Sequence, residues 1–195
     1  MADDNIFSDD EFAQRYADKH QKMAKNFGVE YTRKLTARGF SEGKILDVGC
    51  GFGGTLLTLA ENFPDAQCVG IDMSDPLLEL ARQAAEAQGL EQRVVFEKAD
   101  GQEIPYPDGS FDVVISTNVV HHVADPLAML NEIERVLAPG GMLYIADIRR
   151  SGLAGFFDKA FREALSYSEV LALLYQAKWS KKPFTSGFLW WRYER

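Results

Sequence analysis

Residues 44–55 read K-I-L-D-V-G-C-G-F-G-G-T. Ile45, Leu46 and Val48 form a short apolar run, Asp47 interrupts it, and glycines follow at 49, 51, 53 and 54. Leu56, Leu57, Leu59 and Ala60 then recur at the spacing of a helix with one buried face. The segment therefore predicts a buried strand, a tight glycine turn and a helix from about residue 53. Glycines at such a turn admit positive φ and let backbone N–H groups approach a ligand that a Cβ would hold off. The turn is a ligand cradle.

Two ligand classes compete for it. Gly49-x-Gly51-x-x-Gly54 satisfies the dinucleotide fingerprint, and Asp72, 23 residues beyond Gly49, stands near the place of a ribose-binding acid. Asp47 weighs the other way. A carboxylate two residues before the first glycine, at the strand's carboxyl end, repels a pyrophosphate and attracts an ammonium or sulfonium group. S-adenosyl-L-methionine (SAM) carries both cations, and a ribose for Asp72 to hold.

The stretch I-L-D-V-G-C-G-F-G resembles the first motif of class I SAM-dependent methyltransferases, and G-I-D-M-S (70–74) is similar to the motif that follows it. K-A-D (98–100), I-P-Y-P-D-G-S-F-D-V-V (104–114), H-H-V-A-D-P (121–126) and L-A-P-G-G-M-L (137–143) continue the series in order. The resemblance covers about residues 40–148. Within the family it falls nearest the small-molecule branch, methyltransferase type 11 and quinone-biosynthesis-like enzymes. It implies that Gly49, Gly51 and Gly53 line the methionine and ribose side, with Asp47 near the amino group. Asp72 would take the ribose hydroxyls, Met73 would pack on the adenine, and Asp100 beside Gly101 would accept from the adenine amino group. Asn118 would close over the methionine end. An N-terminal helix would lie over the pocket and bring Tyr16 and His20 towards the cofactor, whose product is S-adenosyl-L-homocysteine (SAH).

His121 and His122 are two of the three histidines in the chain, and histidine is the natural general base near neutral pH. Both are the candidates for catalysis. Related quinone O-methyltransferases hold a divalent metal hereabouts with acidic residues and a histidine. This chain has Asn118 and His121 in place of two glutamates, and no metal ligand is assigned.

At 195 residues and 46% apolar, the chain suits one globular domain. No apolar run approaches the 18 or so residues of a membrane span. Asp3, Asp4, Asp9 and Asp10 occupy the place where a signal peptide needs basic and then apolar residues, and the isolated Cys50 and Cys68 fit a reducing cytoplasm. A net charge of −8 disfavours nucleic acid as a partner, and a small-molecule substrate is what the resemblance implies. The charge is uneven, with nine Lys/Arg against four Asp/Glu in residues 149–195. No oligomeric state is read from the pattern.

Along the chain, Ser8-x-x-Glu11 predicts a capped helix over about 9–27, and a second amphipathic segment covers about 29–38. Strands are expected at 67–72, 93–98, 111–116 and 142–148. Helices are expected at 76–88, with Asp75 as the cap, and at 126–137, 153–165 and 167–177. Strands alternating with helices imply an α/β, doubly wound, mostly parallel sheet. The resemblance adds a closing hairpin from 181–184 and 188–193, giving seven strands in a Rossmann-like methyltransferase fold. Residues 1–40 then form a helical lid of the same domain, and residues 41–195 the cofactor-binding part with a short C-terminal tail. Asp47, Asp72, Asp100 and Asn118 fall at the carboxyl ends of four successive strands, where such sheets bind ligands.

The expected function is SAM-dependent methyl transfer to a small organic acceptor. One alternative is a non-catalytic SAM- or SAH-binding regulatory or partner subunit. A second is an NAD-dependent oxidoreductase, although no Tyr-x-x-x-Lys pair occurs.

Overall fold

A computed structural model describes residues 9–152, 159–179, 184–186 and 189–195. Its elements run α1 (Asp10–Ala37), β1 (Glu42–Val48), α2 (Gly54–Asn62), β2 (Asp65–Asp72), α3 (Asp75–Ala87) and β3 (Val94–Lys98). They continue with β4 (Phe111–Thr117), a 3₁₀ turn (Val120–His122), α4 (Pro126–Val136), β5 (Leu137–Ile148), α5 (Lys159–Glu163) and α6 (Tyr167–Gln176). The hairpin β6 (Phe184–Ser186) and β7 (Trp190–Glu194) closes the series.

The sheet has seven strands in the order β3-β2-β1-β4-β5-β7-β6. β1 to β5 are parallel and β7 runs antiparallel to both its neighbours. Chain order reverses between β1 and β4, which opens a crevice at their carboxyl ends. The central run of β4 explains its place: Val113, Val114 and Ile115 are fully buried, as a strand covered on both faces requires. One face packs against α1, α2 and α3 through Leu35, Leu56, Leu59 and Leu78. The other packs against α4 and α6 through Leu130, Ile133, Val170 and Leu174.

Several expectations need correction. The two N-terminal segments are one 28-residue helix that runs straight through Gly28. Gly28 is a crossing point, not a break: a Cβ there would lie 2.5 Å from the Cβ of Thr58 on α2. Asp9 caps α1 by accepting from Phe12 N at 2.8 Å, while Ser8 lies outside the described residues. The cap of α3 is Ser74, whose hydroxyl accepts from Leu77 N at 3.3 Å, so Asp75 is already helical. β5 begins at Leu137, five residues before the expected start, because pairing with Phe111 is resumed across an irregularity. Of the expected 153–165 helix, residues 153–158 lie outside the described residues and α5 covers Lys159–Glu163. The capping box at Ser166 and Glu169 is present in both directions.

The C-terminal half of α1 is tied down. Tyr31 is buried against Tyr144 and its hydroxyl is 2.9 Å from Thr117 Oγ1. Lys34 pairs with Glu30 and Glu194, and Arg192 with Glu30, joining the helix to β7. The N-terminal half continues past the strand ends and overhangs the crevice through Tyr16, His20, Met23 and Ala24. Among the described residues, no helix is long and apolar enough to cross a membrane.

Candidate active site

The glycine turn leaves β1 by folding over β2: Gly49 N and Cys50 N both donate to Ile71 O, at 2.8 and 3.0 Å. The turn needs left-handed backbone at Gly49, Gly51 and Gly53, with φ of 76°, 53° and 78°. Their surroundings differ. A Cβ at Gly49 would strike Val119, and one at Gly53 the ring of Phe96, so the chain's own packing excludes side chains there. A Cβ at Gly51 would meet only Leu77 Cδ1, at 4.0 Å. Gly51 is the member of the turn that faces open space.

Two carboxyls flank this turn in unlike settings. Asp72, at the end of β2, accepts from Gly51 N at 2.8 Å and from Ser74 N at 2.9 Å. Burial pushes its carboxyl above the usual range while these backbone donors pull it back. Asp47 is 2% exposed, and its carboxyl takes part in no hydrogen bond or ion pair among the described residues. Burial, aided by the charge of Asp72, pushes Asp47 up to about 8. A buried acid without a partner is costly unless a cation or donor comes to it.

The narrow cleft in front of the turn, about 60 Å³, gathers Tyr16, His20, Asp47, Gly49, Gly51 and Asn118 with Phe52, Thr55 and Thr117. Tyr16 and Asn118 are hydrogen bonded through their side chains, and Asn118 holds left-handed backbone at φ 64°. Tyr16 also packs on the rings of His20 and Phe52, at 4.2 and 6.4 Å. Ligand sites are ordinarily roughly 300–1,000 Å³, and with α1 in this position the cleft is narrower than that. A larger groove of about 560 Å³, lined by Arg38, Glu134, Leu137, Pro139 and Arg195, lies at the opposite, amino end of the strands. Topology favours the smaller cleft, since open parallel sheets bind ligands beyond their carboxyl ends.

Met73, Asp100 and Gly101 do not line this cleft. Met73 is 58% exposed at the end of β2. Asp100 accepts from Gln102 N and Gln102 Nε2, and Gln102 in turn accepts from Asp125 N, which ties the loop to the start of α4. Gly101 packs so closely on β1 that a Cβ would lie 2.9 Å from Val48.

The sequence reading missed Asp147. This fully buried acid near the end of β5 lies 2.7 Å from His121 Nδ1, and also accepts from the backbone N–H of Ile148. A buried carboxylate on Nδ1 orients the ring and leaves Nε2 as the proton acceptor. His122 stacks beside it with ring centres 3.9 Å apart, and desolvation together with His121 pushes it down to about 4. Tyr16 feels the charges of both Asp72 and Asp147, but neither His121 nor His122 lines the cleft itself. The missed signal was positional: Asp147 obeys the strand-end rule that singled out Asp47, Asp72 and Asp100. Tyr31 and Thr117 carried no such signal, because their bond spans 86 residues.

A glycine turn at the switch point of this sheet, with acids at the strand ends and a helix across the opening, defines a doubly wound, Rossmann-like fold with its candidate ligand site at the switch point. A family model described as a methyltransferase domain matches residues 40–186, and the chain belongs to that family. It is similar to ajmaline N-methyltransferase of Rauvolfia serpentina, 44% identical over 52% of this chain and 34% of that protein. It is also similar to demethylmenaquinone methyltransferase of Thermus thermophilus, 44% identical over 53% of this chain and 46% of that one. The matched region thus spans less than half the length of either relative. A crystal structure from Methanococcus maripaludis, named as a candidate SAM-dependent methyltransferase, shares the fold. Its TM-score is 0.77 at 21% identity, over 95% of this chain and 92% of that one.

Proposed function

We propose that this protein transfers a methyl group from SAM to a small organic acceptor whose nucleophilic atom begins protonated. Asp47 carries the cofactor half of the reading. It is a buried acid without a partner among the described residues, set beside Gly51, the open member of the glycine turn. An ammonium suits that place and a pyrophosphate does not. Tyr16 and Asn118 would close the methionine end within the cleft. Asp72 would hold the ribose hydroxyls, and the adenine would extend out of the cleft over the ends of β2 and β3, where Met73 is exposed and Asp100 follows β3. When bound, SAM supplies a methyl group already activated on a sulfonium.

The protein's own part is then to hold the acceptor in line and keep water out, for which proximity can contribute on the order of 7–11 kcal/mol. His121 would take the acceptor's proton on Nε2 as Asp147 steadies the imidazolium that forms. His122, neutral at physiological pH, would form part of the acceptor wall. The relatives named ajmaline N-methyltransferase and demethylmenaquinone methyltransferase support a small-molecule acceptor. Two free, buried cysteines support a reducing compartment such as the cytoplasm.

Incubation with methyl-labelled SAM and a fractionated metabolite extract tests the proposal. Label should pass to a small molecule, and His121→Ala should abolish transfer while SAM binding persists. Binding of SAM without any labelled acceptor would point to a regulatory subunit, and binding of NAD in place of SAM would end the cofactor assignment.

A further inference from the structure

We propose that the free protein keeps the Asp47 carboxyl in its neutral acid form, and that cofactor binding drives this proton into solvent. The inference rests on the reading that the site takes SAM, and it adds how the site is made ready. Asp47 sits in the middle of the sheet, paired with Gly70 on β2 and Ile115 on β4, and is 2% exposed. Among the described residues it has no donor to stabilise a negative charge. Asp72, its neighbour, has backbone donors from Gly51 and Ser74. Of two coupled carboxyls, the one with N–H partners holds the charge and the one without them holds the proton.

The other groups facing Asp47 do not change this. β2 also contributes Cys68, pushed up to about 12 by burial, and the turn contributes Cys50, likewise pushed up. α1 contributes Tyr31, Tyr16 and His20. Both tyrosines are pushed up by burial, and His20 Nδ1 is engaged with Tyr16 O at 2.9 Å. The nearby cations are committed elsewhere: Arg82 donates to Phe96 O, and Lys34 and Arg192 pair with Glu30. Nothing cationic among the described residues competes for the place, so an arriving ammonium supplies the missing counter-charge. The exchange balances as a carboxylic acid plus an ammonium giving a carboxylate–ammonium pair plus one proton taken up by buffer. Geometry and charge agree with the direction noted above, where burial raises Asp47 to about 8.

Isothermal titration calorimetry with SAH at pH 6.5, in three buffers of different ionisation enthalpy, counts the proton. At that pH the ligand's own amino group is fully charged. Release of about one proton is expected, with apparent affinity improving up to about tenfold per pH unit from 6.5 towards 8. Asp47→Asn should bind SAH more weakly and release none. Infrared difference spectra should show a carboxylic-acid carbonyl in the free protein that disappears on binding. SAH binding with no proton release, or equal release from Asp47→Asn, overturns this inference and leaves the cofactor assignment standing. Failure of SAH to bind at any pH brings down both.

Discussion

Replacing Gly28 by alanine sets two forces against each other. In the interior of a helix, glycine to alanine alone stabilises by about 0.5–1 kcal/mol. Here the new Cβ would lie 2.5 Å from Thr58 Cβ, 2.8 Å from Thr58 Cγ2 and 3.0 Å from the Thr55 carbonyl oxygen. Thr58 Cβ is one bond from the α2 backbone and no rotamer moves it, so α1 and α2 must part by about 1 Å, at an overpacking cost of roughly 1–3 kcal/mol. Set against the propensity gain, this leaves a net loss of up to about 2.5 kcal/mol, centred on about 1 kcal/mol, or roughly 2–4 °C in Tm at that centre for a chain of this size. Urea and thermal unfolding measure it. Val29→Ala, one residue on and 55% exposed, is the control and should stay within about 0.5 kcal/mol. SAH affinity should fall as well in Gly28→Ala, because the same crossing aims Tyr16 over the glycine turn. A rise in Tm by the amount helix propensity expects would mean that the helices do not meet at Gly28, and the path of α1 across the cleft would fall with it.

Further outcomes follow from individual contacts. Asp47 binds a proton in the native state from about pH 4, its ordinary value, to about 8, whereas the unfolded chain has released it. Stability of the free protein should therefore fall with rising pH across that window by up to about 1.4 kcal/mol per unit. Asp47→Asn removes this slope, so its advantage over the parent in thermal melts should grow from pH 4 to 8 and then level off; a constant difference would refute the assignment. Gly53→Ala should unfold at lower urea than Gly51→Ala: both are left-handed, but only the first drives a Cβ to 2.7 Å from the Phe96 ring. Equal losses would show that packing on Phe96 does not matter. A double-mutant cycle on Tyr31→Phe and Thr117→Val should return about 0.5–1.5 kcal/mol of coupling for the bond that pins α1 to the end of β4. Simple additivity would deny that bond.

Local physics made most of this fold legible in the sequence. Apolar runs of strand length, helix periodicity and punctuation by glycine and proline are properties of adjacent residues. They carry β1, β4, α4 and the capped α6 directly. The strand-end rule likewise puts Asp47, Asp72 and Asn118 at one edge, since a parallel sheet places those ends side by side. Tertiary structure decided what depends on contacts between distant segments. Local signals divide α1 into segments over about 9–27 and 29–38, and only the closeness of α2 shows why one continuous helix carries a glycine at position 28. The Tyr31–Thr117 bond, the pairing of Asp147 with His121 and the reach of Tyr16 to Asn118 join residues 26 to 102 positions apart. Most of all, the sequence could mark Asp47 as an acid beside a glycine bend, but whether that acid has a partner is decided by every chain segment folded around it.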